Sequence, residues 1–263
     1  MERCREERRG YADDRFIPPV SRHGDNVLLP VVFPDGSTAK LVYPPTLKIH
    51  RFGVQPAVSL ALRARGKYHE RFLMISKTEI GDVARTDEVL ESYEGPLGTV
   101  RVYRPKSRRE FLNPLLIHHR VGSWNIFVGD GNAGSFMGKR NRRLWAENLD
   151  GFETKSGFIV LEPQPPLAFA TGPGEPDLYF HSCFRFIELR LERCKDLKGS
   201  ELAKDQYAEV VRGVTVHRNE SRMTVYANWC TPSHHVSVYL DDYDKSFVDL
   251  AVRTLRIRSV SLP

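Results

Sequence analysis

The sequence has no apolar run long enough to cross a membrane as a helix. Such a helix needs about 20 consecutive apolar residues, whereas stretches such as 27–33 and 158–161 are of strand length. The N-terminal residues mix arginines with acidic residues, and no apolar segment follows them. We therefore expect no signal peptide and no membrane partner, and a cytoplasmic location follows from that.

Cysteines are also few. The four of them, Cys4, Cys183, Cys194 and Cys230, form no CxxC pair and are too sparse for a disulfide framework. A strand between Cys183 and Cys194 would hold these two side chains far apart. We therefore expect reduced, buried thiols, which agrees with the cytoplasmic location.

Signatures of common catalytic and cofactor sites are missing as well. The sequence contains no GxSxG elbow, no HExxH helix and no dinucleotide-binding fingerprint. We therefore predict no cofactor, and an enzyme is not the favoured interpretation. The favoured role is a non-catalytic binding or interaction module that meets a partner, preferably a protein, through a sheet or its loops.

The composition is that of a globular protein with an excess of positive charge. Hydrophobic residues make up 41% of the 263 residues and charged residues 27%, so a folded core is expected. The net charge of +6 permits an anionic ligand or a nucleic acid as partner. However, the basic residues are spread along the whole chain, which does not single out one binding surface.

Alternating apolar residues predict several strands and two clear hairpins. The first hairpin spans residues 27–43 around the turn sequence Pro34-Asp35-Gly36, in which proline and glycine supply the turn dihedrals. The second spans residues 223–240, where apolar residues alternate with polar ones on both sides of Pro232.

Three helices are predicted from apolar stripes of helical spacing. The segment 246–256 has one such stripe, and Asp244 is placed to cap it. The segment 200–212 has Tyr207 and Val211 on one face and Gly213 after its end, which is typical of a helix stop. A shorter helix is predicted at 141–150.

These elements predict an α+β fold, with antiparallel sheets and a few covering helices. We expect a disordered tail at 1–24 and two α+β units at 25–156 and 157–263, either in tandem or as one continuous domain. The two units weakly repeat the order of strand pair, helix and apolar segment. This order is similar to the PsbP-like plan, an antiparallel sheet closed by a C-terminal helix. No motif specific to that family is present, and we assign no family.

A glycine-rich segment at 129–143 contains a candidate ligand site. Its part 133–140 follows a predicted strand, precedes a predicted helix and nearly matches the phosphate-binding loop. Arg140 stands where such a loop has the Ser or Thr that binds magnesium, which disfavours nucleotide hydrolysis. The favoured interpretation is a flexible glycine-rich connection that leads into a basic helix. The alternative is a phosphate or polyanion site without magnesium. Its candidate residues are Gly134, Gly138, Lys139, Arg140, Arg142, Arg143 and Trp145.

A second basic stretch bears on this hypothesis. It consists of Arg101, Arg104, Lys106, Arg108 and Arg109. It supports a polyanion site only if it lies on the same face of the protein as the glycine-rich segment.

The tip of the second hairpin contains Cys230, His234 and His235. A thiol near two imidazoles is a candidate metal site or a Cys–His catalytic pair. By strand alternation, however, His234 lies on the opposite side from Cys230 and His235. Structural roles are therefore the favoured interpretation, and no metal is predicted.

Overall fold

The computed structural model describes residues 16–64, 67–77, 88–104, 115–130, 136–170, 176–182, 185–191, 206–220, 225–231 and 236–263. The chain divides into two compact units. The first unit comprises Met1–Gln55 and Asp177–Pro263, and the second comprises Pro56–Pro176. The second unit is therefore inserted, in sequence, between the two segments of the first. The hairpin that crosses the predicted boundary at 156–157 lies entirely in the second unit.

The first unit contains two antiparallel sheets. One has the strand order β1-β2-β3-β19, and the other contains the run β15-β16-β17-β18-β14-β13. The strands are β1 (Ser21–His23), β2 (Asn26–Val32), β3 (Thr38–Tyr43), β13 (Asp177–Ser182), β14 (Arg185–Leu191), β15 (Gln206–Val211), β16 (Val214–Glu220), β17 (Val225–Thr231), β18 (Val236–Asp242) and β19 (Arg256–Ser261).

Helix α2 (Lys245–Thr254) packs on β17 and β18 of the first unit. Asp244 caps it, because its carboxylate accepts a 2.9 Å hydrogen bond from the backbone N–H of Ser246. Phe247 and Ala251 are among the side chains that the helix buries. The predicted helix at 246–256 and its cap are thus confirmed.

The second unit is built on the strand run β4-β5-β9-β8-β7-β6, and β12 also pairs with β4. A separate hairpin of β10 and β11 and helix α1 complete it. The elements are β4 (Gly53–Ala64), β5 (Lys67–Ser76), β6 (Glu88–Gly95), β7 (Gly98–Arg104), β8 (Leu115–Val121), β9 (Trp124–Asp130), α1 (Lys139–Asn148), β10 (Leu149–Glu153), β11 (Ile159–Pro163) and β12 (Leu167–Phe169).

Both predicted hairpins are confirmed. In the first, β2 pairs with β3, and the turn is closed because the Asp35 carboxylate accepts a 2.9 Å hydrogen bond from the backbone N–H of Ser37. In the second, β17 pairs with β18. The predicted disordered tail at 1–24 overlaps paired residues, because Ser21–His23 forms β1 and Phe16 bridges to Val54. Residues 1–15 lie outside the described part of the chain.

The α+β prediction is wrong, because the protein is mostly antiparallel sheet. In the described part of the chain there are two α-helices, at 139–148 and 245–254, besides short 3-10 turns. The predicted helix at 200–212 is the clearest error: Gln206–Val211 is strand β15, paired with β16. Gly213 is not a helix stop but forms a two-residue hairpin turn with Arg212, in which both residues have positive φ. Residues 200–205 lie outside the described ranges.

Candidate functional site

The sheet of the second unit has two faces of opposite character. On the first, which we call the covered face, Leu73 of β5 and Val128 of β9 are fully buried. Helix α1 packs against β6 on this side, and its Trp145 and Ala146 are buried. A Cβ on Gly95 of β6 would lie 2.2 Å from the carbonyl oxygen of Ala146, so the helix approaches the strand at a distance that only glycine permits.

The other face, which we call the aromatic face, presents large apolar side chains to solvent. Alternate residues of β5 lie on it, and the side chains of Tyr68, Phe72 and Met74 are 48%, 53% and 40% exposed. The β-strand register places Met74 opposite Phe127 of β9 and Phe127 opposite His118 of β8. We define the aromatic face by Tyr68, Phe72, Met74, Tyr103, His118 and Phe127. Of these, Tyr103 and Phe127 are buried, at 5% and 1% exposure, so the solvent-exposed part of the face is the row on β5.

Rings on the aromatic face contact one another across strands. The imidazole of His118 stacks on Phe127 with a centroid distance of 4.5 Å and an interplanar angle of 10°. Its Nε2 lies 2.9 Å from Oδ1 of Asn125, which fixes the orientation of the ring. At the other end of the face, the guanidinium of Arg63 lies 5.9 Å from the centroid of Tyr68. The face is therefore preorganised by its own contacts.

Charged side chains surround these rings on the same face. The register pairs Arg63 with Tyr68, Arg101 with His118 and Arg120 with Asn125, so all three arginines lie on the aromatic face. Each of them is exposed, and none makes an ion pair with a residue that the structure describes. Glu70 and Glu94 lie on the same face, since they stand opposite Ala61 and Thr99.

Under the covered face, Arg142 of α1 is held by two carboxylates. It donates two hydrogen bonds to Glu91, of 2.9 and 2.6 Å, and one of 3.2 Å to Asp130. Asp130 is fully buried and also accepts from the backbone N–H of Met137 at 2.7 Å and from Arg71 at 3.4 Å. These contacts tie both ends of the glycine-rich segment to the sheet.

The pKa values around this network follow from its hydrogen bonds and burial. Hydrogen bonds from Arg142 lower the pKa of Glu91 below its ordinary value, and burial opposes this effect. Burial and the neighbouring Glu91 raise the pKa of Tyr93 to about 12. Both groups therefore keep their ordinary charge states at neutral pH, with Glu91 ionised and Tyr93 neutral.

A buried histidine lies nearby in the same core. His119 is 1% exposed and stands opposite Ile126, and neither of its ring nitrogens has a hydrogen-bond partner among the described residues. Burial, with a smaller contribution from the charge of His118, lowers its pKa to about 3. His119 is therefore neutral at physiological pH.

The residues predicted for the phosphate or polyanion site are divided between surface and core. Gly138 is the N-cap of α1, and Lys139, Arg140 and Arg143 are exposed, with Arg143 paired to Glu147 at 2.7 Å. Arg142 is saturated by protein acceptors, and Trp145 is fully buried. Gly134 lies outside the described residues. Two of the predicted ligand residues, Arg142 and Trp145, thus have structural roles. The anion site stays a prediction.

Among the described residues, the second basic stretch and the basic residues of the glycine-rich segment do not lie on the same face of the sheet. Arg101 lies on the aromatic face, whereas α1 with Lys139 packs over the opposite face, where Tyr93 donates a 3.3 Å hydrogen bond to the Lys139 carbonyl oxygen. Arg104 is at the end of β7, 3.9 Å from Glu88. Lys106, Arg108 and Arg109 lie outside the described residues.

In the first unit, Cys230 is not the reduced thiol that we expected. It is disulfide-bonded, and the other three cysteines lie outside the described part of the chain. The spacing of cysteines along the sequence cannot reveal this pairing, because it depends on which strands become neighbours. A disulfide sulfur is neither a nucleophile nor a thiolate ligand, so Cys230 cannot play the catalytic or metal-binding role considered above.

His234 and His235 also lie outside the described part of the chain. Among described residues, no group of three or more His, Cys, Asp and Glu side chains is placed to hold a metal ion.

The cytoplasmic location stays a prediction.

A row of polar residues crosses four strands of the first unit and ends at Cys230. The register aligns Asp177, Arg190, Ser237 and Cys230 on one face of the sheet. Asp177 is 4% exposed, and this burial raises the pKa of its carboxyl to about 7, although the charge of Arg190 opposes the shift. The neighbouring Glu188 is paired with Arg190. Asp177 and Ser237 of this row are buried, whereas the side chain of Arg190 is 39% exposed.

Sequence reasoning missed the aromatic face. Strand β5 has apolar residues on both of its faces, so its alternation does not show which face is buried. The exposed apolar residues become visible only when the register of β4, β5 and β9 is known.

Within the described ranges, neither α-helix has the length and apolar character needed to span a membrane.

Comparison with known proteins identifies no relative of this chain. No family model matches the sequence, and no curated protein or solved structure matches it either.

Proposed function

We propose that the protein is a non-catalytic binding module and that the aromatic face of the second unit is its binding surface. The observation that supports this proposal is the exposure of Tyr68, Phe72 and Met74 side by side on one strand. Exposed apolar residues scattered singly need no explanation, whereas a contiguous group of them on a soluble surface is typical of an interaction site.

The composition of the face supports the same proposal. Aromatic residues, methionine and arginine are enriched at interaction surfaces, and all three residue types are present here. The rings of Tyr68 and His118 already have contacts within the face, so binding restricts these side chains little further. Val89 of β6 is a further exposed apolar residue on this face, at 47% exposure, opposite the buried Tyr103.

The test compares the full chain with a double variant, Phe72→Ser with Met74→Ser, as immobilised bait in cell extract. We expect the wild type to retain a partner that the double variant loses. Val210→Ser is the matched control, because Val210 is an exposed apolar residue of the first unit at 73% exposure and should be irrelevant to this surface. Equal retention by the wild type and the double variant would contradict the proposal.

A further inference from the structure

We infer that the aromatic face binds single-stranded nucleic acid. This inference rests on the proposed function and names the chemical class of the partner. Three features of the face carry it: the exposed rings on β5, arginines that make no ion pair with a described residue, and the breadth of a run of six strands.

The rings offer stacking surfaces of the kind that unpaired bases use. Phe72 is 53% exposed and Tyr68 is 48% exposed, and both project from the same strand. Residues four apart on a strand are about 13 Å apart, so each ring can contact a different base of one strand. Stacking of bases on aromatic side chains is tolerant of sequence and is the main source of affinity in many single-strand binders.

The arginines supply the complementary charge. Arg63, Arg101 and Arg120 surround the rings and make no ion pair with a described residue, so their charge is available to phosphate groups. The net charge of +6 adds a general attraction for polyanions. Arg63 already lies against Tyr68, which places a cation beside a stacking surface.

A single strand fits this surface better than a duplex does. The bases of a duplex are stacked on one another, so their ring faces are not open to Tyr68 or Phe72. The grooves of a duplex admit a helix or a two-stranded ribbon, whereas the aromatic face belongs to a run of six strands.

Two carboxylates oppose this attraction and provide a sharp test. Glu70 stands between Tyr68 and Phe72 on β5, and its charge repels phosphates along the path of the bound strand. A variant that removes this charge, Glu70→Gln, should therefore bind more tightly. A partner protein with basic side chains would show the opposite response.

The experiment measures fluorescence anisotropy of labelled dT20 and U20 oligonucleotides with the full chain at several salt concentrations. If three phosphates are neutralised, the slope of log K against log salt is about −2, since each contributes about 0.7 on a single strand. Arg101→Gln with Arg120→Gln should reduce the slope to about −0.7. Phe72→Ala should weaken binding about tenfold, whereas Phe72→Tyr should retain it. Circular dichroism confirms that each variant is folded.

The outcomes separate this inference from the proposed function. Absence of binding to either oligonucleotide, equal competition by duplex DNA, or an unchanged affinity in Phe72→Ala would overturn the inference. If the extract experiment then yields a protein partner that requires Phe72 and Met74, the proposed function stands and only the partner class is wrong. If binding instead depends on Lys139 and Arg143 and not on Phe72, the inference is overturned, and the extract experiment alone decides the proposed function.

Discussion

At the scale of single residues, burial decides which groups the protein can use for chemistry. Arg142 was a candidate ligand residue on sequence grounds, yet its donors are taken by Glu91 and Asp130. These partners are 51 and 12 residues away in sequence, so no local pattern could indicate them. The aromatic residues of β5 show the converse case, in which side chains that would ordinarily be buried are left exposed.

His119 makes the stability of the protein depend on pH. Its pKa is about 3 in the folded protein and about 6.5 in an unfolded chain. Because the unfolded state binds the proton more readily, stability is full above pH 6.5 and is lost as pH falls towards 3, by about 1.4 kcal/mol per pH unit.

We therefore expect His119→Leu to flatten this acid dependence, measured as urea unfolding free energies between pH 7 and pH 4. His23→Gln is the control, because His23 is exposed and its replacement should leave the profile unchanged. Parallel profiles for the wild type and His119→Leu would show that another group is responsible.

At the scale of elements, local signals predicted two hairpins and a helix cap but not every element type. The Asp35–Gly36 turn and the Asp244 cap are short-range features, and both are present as predicted. The segment at β15 has apolar residues at helical spacing, but pairing with β16 gives it a strand conformation. Tertiary pairing overrides such a local preference, because a strand beside an existing sheet gains a full ladder of hydrogen bonds.

Arg142 anchors helix α1 to its sheet, and this contact gives a prediction at the scale of elements. Arg142→Met should lower the free energy of unfolding by about 3–5 kcal/mol, because it leaves the carboxylates of Glu91 and Asp130 without this buried partner. Arg143→Met is the matched control: Arg143 is exposed, and the ion pair that it makes with a described residue is with Glu147 on the same helix, so its replacement should cost far less than that of Arg142. Chemical denaturation measures both. Similar losses in the two variants would contradict the anchoring role of Arg142.

At the scale of the whole molecule, the two units are not two consecutive segments of the chain. Strand β3 pairs with β19, so that Leu41 lies opposite Ile257, and the first unit is made from both ends of the described chain. A sequence pattern reports on neighbours in the chain, whereas this pairing joins residues more than 200 positions apart. The strands of the two predicted hairpins were therefore predictable, whereas the pairing of β3 with β19 was not.

The disulfide at Cys230 links stability to redox conditions. We expect a reducing agent to lower the melting temperature, since the loss of a native disulfide typically costs about 2–5 kcal/mol. Cys230→Ser should melt at the lower temperature with or without reductant. A wild-type melting temperature that is unchanged after reduction, with thiol titration showing that the bond is broken, would contradict a stabilising role.

The close approach of α1 to β6 at Gly95 has an evolutionary consequence. Any side chain larger than hydrogen would collide with the backbone of Ala146, so most substitutions at this position are removed by selection for folding. Glycine should therefore persist at position 95 in descendants of the same ancestor, even after most of the surface has diverged. A glycine in this place, followed by an arginine in the next helix and a carboxylate in each of two strands, gives a pattern for recognising distant relatives that overall similarity does not reveal.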